Sequence, residues 1–176
     1  MKLSHALPAA ATAILLASCQ SVGTLPTEQI GSGTLMLANG VPAGTVRLVA
    51  SGEEVSLAVA VAGIPAGQHG FHLHTTGECT RPDFTSAGGH LNPYGRQHGL
   101  DANTGAHLGD LSNLTVSADG TAVTTVPLRG SRSELVAQVF DADGTAVIIH
   151  ADPDDGVTDP TGNAGSRIAC AVLTRT

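Results

Sequence analysis

The stretch GSGTLMLANGVPAGTVRLVASGEEVSLAVAVAGIP, residues 31–65, decides the fold. It contains three short runs of alternating side chains, at 34–37, 45–49 and 55–61. Each run ends at turn residues, which are Asn39-Gly40, Ser51-Gly52 and Gly63-Ile64-Pro65. Alternation with a period of two predicts β-strands, and the short turns between them predict an antiparallel meander.

Five more runs of this kind follow, at 71–74, 114–116, 122–126, 146–149 and 168–173, while only 133–139 could form a helical turn. Eight strands predict an all-β fold, an eight-stranded antiparallel Greek-key barrel or sandwich. The stretches 75–109 and 151–165 have no strand or helix periodicity. Irregular segments of that length in a compact domain are usually functional, so we expect two long functional loops.

Composition restricts the class of protein. Aromatic residues make up 2% of the chain, Trp is absent, and the formal net charge is −7. The core must therefore be built from Val, Ile, Leu and Ala, which suits strands. An acidic chain lacks the basic surface that nucleic acid requires, so we expect no nucleic-acid partner.

The N-terminus has the features of an export signal. Lys2 precedes an apolar run that ends in Leu16-Ala17-Ser18-Cys19, which resembles the lipobox of bacterial lipoproteins. We predict a signal peptide at 1–18, a lipidated Cys19 with a tether at 19–30, and the folded domain at 31–176. The alternative is an ordinary secretory signal that contains a cysteine. The predicted location is outside the cytoplasm, periplasmic or at the cell surface, with a membrane anchor.

Two cysteines remain beyond Cys19, Cys79 and Cys170. An even number of cysteines in an exported domain suggests a disulfide.

Seven histidines follow the predicted signal, and six of them form a metal-binding pattern. His72 and His74 are two apart in a predicted strand, so both rings leave the same face. The long loop contains His90, His98 and His107, and Asp110 follows it. Three imidazoles and one carboxylate form a donor set that suits tetrahedral zinc. His150 ends a strand and could complete a second, all-imidazole site of the kind that Cu(II) prefers.

Several segments carry a resemblance: GFHLH at 70–74, GGHLNP at 88–93, HG at 98–99, HLGD at 107–110, His150, and GNAGSRIAC at 162–170. Together they resemble the copper/zinc superoxide dismutases, over about residues 31–173. The resemblance implies one copper and one zinc per chain, and an enzyme that converts superoxide to oxygen and hydrogen peroxide by copper redox cycling.

The resemblance also assigns roles to individual residues. Copper would be held by His72, His74, His90 and His150, and zinc by His90, His98, His107 and Asp110, with the His90 imidazolate bridging the two ions. Cys79 and Cys170 would form the family's disulfide. Asp154 would join a copper histidine to a zinc histidine through their outer ring nitrogens, and Arg167 would hold the anion beside copper. His69 matches a position that does not bind metal.

The chain departs from the animal enzymes in the segment from Asp154 to Arg167, which is shorter and has no counterpart of their guiding lysine, since Lys2 is the only lysine. Superoxide steering would then fall to Arg167, or to Arg81 and Arg96. The sequence does not determine the oligomeric state, and it is compatible with a homodimer.

Three other functions account for less of this pattern. A non-catalytic copper/zinc buffer or delivery protein would need the ligands but not Arg167. A zinc hydrolase would need an open zinc position, which four protein ligands exclude. An adhesive β-sandwich would not explain ligands in both irregular loops.

Overall fold

A computed structural model describes residues 26–176. The predicted signal, Cys19 and most of the predicted tether lie outside the described residues. Within residues 26–176, no helix has the length and apolarity that a membrane span requires.

The described chain is built from antiparallel strands with one short helix. The strands are β1 Glu28–Leu37, β2 Pro42–Ser51, β3 Glu54–Ala62, β4 Gly67–His69, β5 Phe71–His74, β6 Leu114–Val116, β7 Thr121–Pro127, β8 Ala146–His150, β9 Arg167–Val172 and β10 Thr174–Arg175. Helix α1 spans Arg132–Val139, and a 3₁₀ turn spans Thr85–Ala87. The predicted all-β fold class is confirmed.

One curled sheet has the strand order β5-β8-β9-β1-β2-β3-β7, with β10 also paired to β1, and β4 pairs with β6 in a second sheet. Only β1, β2 and β3 form the meander expected from residues 31–65. Strands β8 and β9 are also consecutive in the chain. The remaining neighbours, such as β1 beside β9, are far apart in sequence, which is the crossing pattern of a Greek key.

Three details differ from the prediction. Strand β1 begins at Glu28 and its Ile30 is buried, whereas the first strand was expected at 34–37. Strands β4 and β10 were not predicted, because the sequence of β4, Gly-Gln-His, has no apolar alternation and β10 has only two residues.

The apolar side chains form two clusters. The larger fills the inside of the curled sheet with residues such as Leu48, Leu57 and Val147. In the smaller, Phe84 and Ala87 from the long loop cover the opposite face of β8 and β9. Strand β8 is therefore buried on both faces, and the end of this strand, at His150, is held firmly.

A disulfide joins Cys79, in the long loop, to Cys170 of β9. The two residues are separated by 91 positions, and their Cα atoms are 5.7 Å apart. Closing a loop of that length is worth about 4.6 kcal/mol in the chain-entropy treatment of disulfides. The bond holds the first part of the long loop against the sheet that carries His72 and His74.

The second part of the long loop is attached to helix α1. The Tyr94 hydroxyl donates a hydrogen bond to Glu134, and Arg96 lies over the Tyr94 ring at 5.8 Å from its centre. Glu134 also completes a capping box with Ser131, which fixes the start of the helix.

Candidate metal centre

Strand β5 places two histidines on one face of the sheet. Phe71 and Leu73 point into the apolar core, so His72 and His74 point to the opposite face, beneath the loops. Both rings are almost fully buried. His90 pairs with His74 through an isolated β-bridge, which brings the long loop to the same place.

Four histidines form the first cluster, which we call the copper cluster: His72, His74, His90 and His150. One ring nitrogen of each lies within 4.8 Å of the others. These are the four residues that the sequence suggested for copper.

The other ring nitrogens of three of these histidines are hydrogen-bonded, which fixes their tautomers. His72 Nε2 contacts Asp154 Oδ2 at 2.5 Å, His74 Nδ1 contacts the Gly88 carbonyl at 3.0 Å, and His150 Nδ1 contacts the Gly165 carbonyl at 3.2 Å. A neutral imidazole that donates from one nitrogen presents a lone pair on the other.

Those lone pairs provide a test of whether the residues fit a metal. In the described chain, five buried side-chain polar atoms have no hydrogen-bond partner: His72 Nδ1, His74 Nε2, His90 Nε2, His150 Nε2 and Thr145 Oγ1. Buried polar atoms without partners are costly, and each needs an explanation. The first four are the cluster's inward atoms, and an all-nitrogen set of this kind suits copper.

The second cluster, which we call the zinc cluster, contains His90, His98, His107 and Asp110. Asp110 Oδ1 lies 2.9 Å from His90 Nδ1 and 3.1 Å from both His98 Nδ1 and His107 Nδ1. Three imidazole nitrogens and one carboxylate oxygen around one point fit a closed zinc site. His90 belongs to both clusters, Nε2 to the first and Nδ1 to the second.

Asp110 is held rigidly by the backbone. Its Oδ2 atom accepts hydrogen bonds from Gly99 N at 2.9 Å and from His107 N at 3.0 Å. Burial raises the pKa of Asp110, but hydrogen bonds from His90, His98 and the Gly99 amide outweigh it and hold the pKa well below its usual range. The carboxylate is therefore anionic, as a zinc ligand must be.

Asp154 links the two clusters from outside. Besides its contact with His72, its Oδ1 atom lies 3.1 Å from His98 Nε2. A side chain at Gly162 would collide with both Asp154 and His98, so this turn requires glycine. Burial raises the pKa of Asp154, but the hydrogen bonds from His72 and His98 outweigh burial and hold the pKa well below its usual range.

Burial lowers the pKa of the clustered histidines, whereas hydrogen bonds to carboxylates raise it. Burial lowers the pKa of His74 to about 2, of His150 to about 3 and of His90 to about 4. Burial also opposes the charge on His98, but its hydrogen bonds to Asp110 and Asp154 raise the pKa to about 9. His74, His90 and His150 are therefore neutral near pH 7, whereas a positive charge is favoured on His98.

Arg167 lies at the edge of the copper cluster. Its Nη1 and Nη2 atoms donate to the carbonyls of Phe84 and Gly88, each at 2.6 Å. The Gly88 carbonyl is also the partner of His74, so one oxygen fixes the guanidinium and a ring of the cluster. Arg167 lines an open depression of about 450 Å³ with Pro82, Asp83, Thr85, Gly165 and Ser166.

His69 is in neither cluster. Its Nδ1 and Nε2 atoms each lie 2.8 Å from a carbonyl oxygen, of His150 and Pro65 respectively.

Two supporting residues were not found from the sequence. Asn113 exchanges two hydrogen bonds of 2.8 Å with the backbone of Asp154. Arg129 donates to the carbonyls of His107 and Asp110 at 2.5 and 3.0 Å. No local pattern marks either residue, because their partners lie 19 to 41 positions away.

Comparison with known proteins agrees with this geometry. The family model described as copper/zinc superoxide dismutase matches residues 42–173. The chain belongs to the copper/zinc superoxide dismutase family. The family's name implies copper and zinc, and the two clusters could bind them.

Several relatives within the superoxide dismutase family are similar to this chain. It is 43% identical over 111 residues to the superoxide dismutase-like protein YojM of Bacillus subtilis, which covers 62% of this chain and 57% of that protein. The chain thus spans a little over half of YojM. It is 39% identical over 133 residues to superoxide dismutase (Cu-Zn) 2 of Aquifex aeolicus, covering 74% of this chain and 78% of that one.

A solved structure of a SOD-like protein has a similar fold. The double mutant of a SOD-like protein from Bacillus subtilis superposes with a TM-score of 0.73 at 36% identity, over 80% of this chain and 95% of that one.

Proposed function

We propose that the chain is a superoxide dismutase that binds one copper and one zinc. The observation that carries the proposal is the set of four buried, unpartnered imidazole nitrogens beside a fixed guanidinium. The net reaction converts two superoxide ions and two protons into oxygen and hydrogen peroxide. When bound, copper supplies one-electron exchange between Cu(II) and Cu(I), and zinc supplies a redox-inert positive charge.

The part that we assign to His90 is to hold and release a proton at Nε2. Its Nδ1 atom faces Asp110, and this contact keeps the ring in place whichever state Nε2 is in. Burial lowers the pKa of His90 to about 4, so the ring itself carries no positive charge near pH 7.

The part that we assign to Arg167 is to attract the anion. A guanidinium carries five N–H groups, and the contacts with the Phe84 and Gly88 carbonyls leave further N–H groups free to meet superoxide. The open depression gives a small anion access to this side chain. Asp83 lines the same depression and opposes the attraction.

The second candidate function is non-catalytic binding of copper and zinc. Two observations favour it: a relative is named only superoxide dismutase-like, and Arg167 binds loop carbonyls, as a purely structural arginine would.

Metal content measured together with superoxide decay decides between the two functions. We expect one copper and one zinc per chain, and a second-order loss of superoxide that rises in proportion to copper content. A chain that binds both metals without accelerating superoxide decay would establish the binding function instead.

We also propose that the protein is exported and anchored to a membrane by a lipid on Cys19. The support is the lipobox-like sequence, and the pairing of the other two cysteines, which leaves Cys19 outside that disulfide. Stable attachment requires the two or three acyl chains of a lipoprotein cysteine, because one chain binds only marginally.

Cys19→Ser should release the protein from membranes without changing its activity per copper. Fractionation followed by immunoblotting measures the release, and mass spectrometry of the membrane-bound wild type should find acyl chains on Cys19. An unmodified Cys19 in a membrane-bound, full-length chain would contradict the anchor.

A further inference from the structure

The three histidines of the zinc cluster use their outer ring nitrogens differently. His90 directs Nε2 into the copper cluster, and His98 directs Nε2 to Asp154. His107 Nε2 lies 3.8 Å from Asp159 Oδ1. We propose that Asp159 is a positioning residue for the zinc site, orienting His107 through its outer nitrogen. The inference rests on the proposed zinc site and assigns a new residue to it.

Asp159 reaches the zinc cluster from the other loop. Its Oδ1 atom accepts a hydrogen bond of 2.6 Å from the backbone N–H of His98. One carboxylate oxygen therefore contacts the backbone of one zinc-cluster histidine and faces the ring of another. This double role distinguishes Asp159 from an acidic side chain that merely lies near the site.

The distance of 3.8 Å from Asp159 Oδ1 to His107 Nε2 is longer than a direct hydrogen bond. The Asp159 side chain is 52% exposed, so a small rotation or a bridging water can complete the contact. Exposure also screens its charge, which makes its effect smaller than that of Asp154, whose side chain is 7% exposed.

The chemistry of a zinc-binding imidazole explains the assignment. His107 offers Nδ1 to the zinc cluster, so its proton must reside on Nε2. A carboxylate facing Nε2 favours this tautomer and makes Nδ1 a stronger donor. Loss of such an outer partner typically lowers metal affinity by about 10- to 100-fold, and we expect the lower end here because Asp159 is half-exposed.

The contact also joins the two long loops. Asp154 and Asp159 both belong to the segment that leads into Arg167, and each touches a residue of the zinc cluster. Zinc binding is thereby coupled to the order of the segment that positions the guanidinium.

Asp159→Asn is the decisive variant, because an amide oxygen still accepts from His98 N–H while the negative charge facing His107 is lost. The matched control is Asp155→Asn, which removes the same charge from the same segment. The Asp155 carboxylate accepts only from Val157, Thr158 and Asn163 among the hydrogen bonds described for it.

Zn²⁺ affinity is measured by competition with a chelator, and Co²⁺ in the zinc site gives a visible absorption band that reports ligand geometry. We expect Asp159→Asn to raise the Zn²⁺ dissociation constant about tenfold and to shift the Co²⁺ band, with Asp155→Asn within about threefold of wild type.

Equal affinities for Asp159→Asn and wild type would overturn the proposal, and so would an equal loss in both variants, which would mean that loop order alone matters. Failure of the wild type to bind Zn²⁺ would instead refute the zinc site itself.

Discussion

Replacing His90 by alanine should abolish superoxide dismutation and remove the connection between the two metal sites. His90 is the only residue that belongs to both the copper and the zinc clusters. The variant leaves three donors in each cluster, and it removes the Nε2 atom to which we assign the proton. We expect the rate of superoxide decay to fall to the level of the buffer, measured on protein whose disulfide and circular dichroism match wild type.

His107→Ala is the control for His90→Ala, because His107 belongs to the zinc cluster alone. This variant should lose zinc affinity and keep its copper site. If His90→Ala kept more than about a tenth of the wild-type rate, the role of His90 in the reaction would be wrong. Spectra of two independent mononuclear sites in a fully metal-loaded wild type would contradict the bridge.

Arg167→Ala should keep both metals but lower the second-order rate constant about tenfold or more, which corresponds to at least ~1.4 kcal/mol in the transition state. The chain is acidic, with a net charge of −7, so superoxide needs a local attraction near the copper cluster. Arg167→Glu should be slower still, because it repels the anion. Rising ionic strength should slow the wild type, and this dependence should shrink in Arg167→Ala.

Arg96→Ala is the matched control, since it removes one positive charge from the long loop away from Phe84 and Gly88. A purely structural Arg167 would predict a less stable variant with a near-normal rate. The steering role would be refuted by metal-replete Arg167→Ala that reacts as fast as wild type at low salt. If Arg96→Ala caused the larger loss, steering would belong to the long loop.

The sequence predicts those parts of the fold that depend on local pattern. The central residues of β2 and β3 alternate strictly between buried and less buried positions, and the same alternation in the sequence predicted these strands. The two-residue spacing of His72 and His74 carried enough information to place both rings on one face. Helix α1 was expected as a helical turn at 133–139, and its true start at Arg132 depends on the cap from Ser131.

Features that depend on distant parts of the chain could not be predicted in this way. Strand β4 is recognisable only through its pairing with β6, more than forty positions later. Arg129 and Asn113 are ordinary polar residues until the fold brings them against the backbone of metal-cluster residues. The resemblance to a known family supplied the ligand assignments, because spacing alone does not say which ring nitrogen faces which cluster.

The contact between Tyr94 and Glu134 has an optical consequence. The chain contains one tyrosine and no tryptophan, so its intrinsic fluorescence comes almost entirely from a single phenol ring. That ring lies in the loop that carries His90, His98 and His107, and its hydroxyl is bound to a carboxylate, a contact that quenches phenol emission. Undocking of the loop from helix α1 would therefore increase the tyrosine fluorescence of the protein. Tyrosine fluorescence of the unlabelled chain therefore reports whether this loop is docked on helix α1.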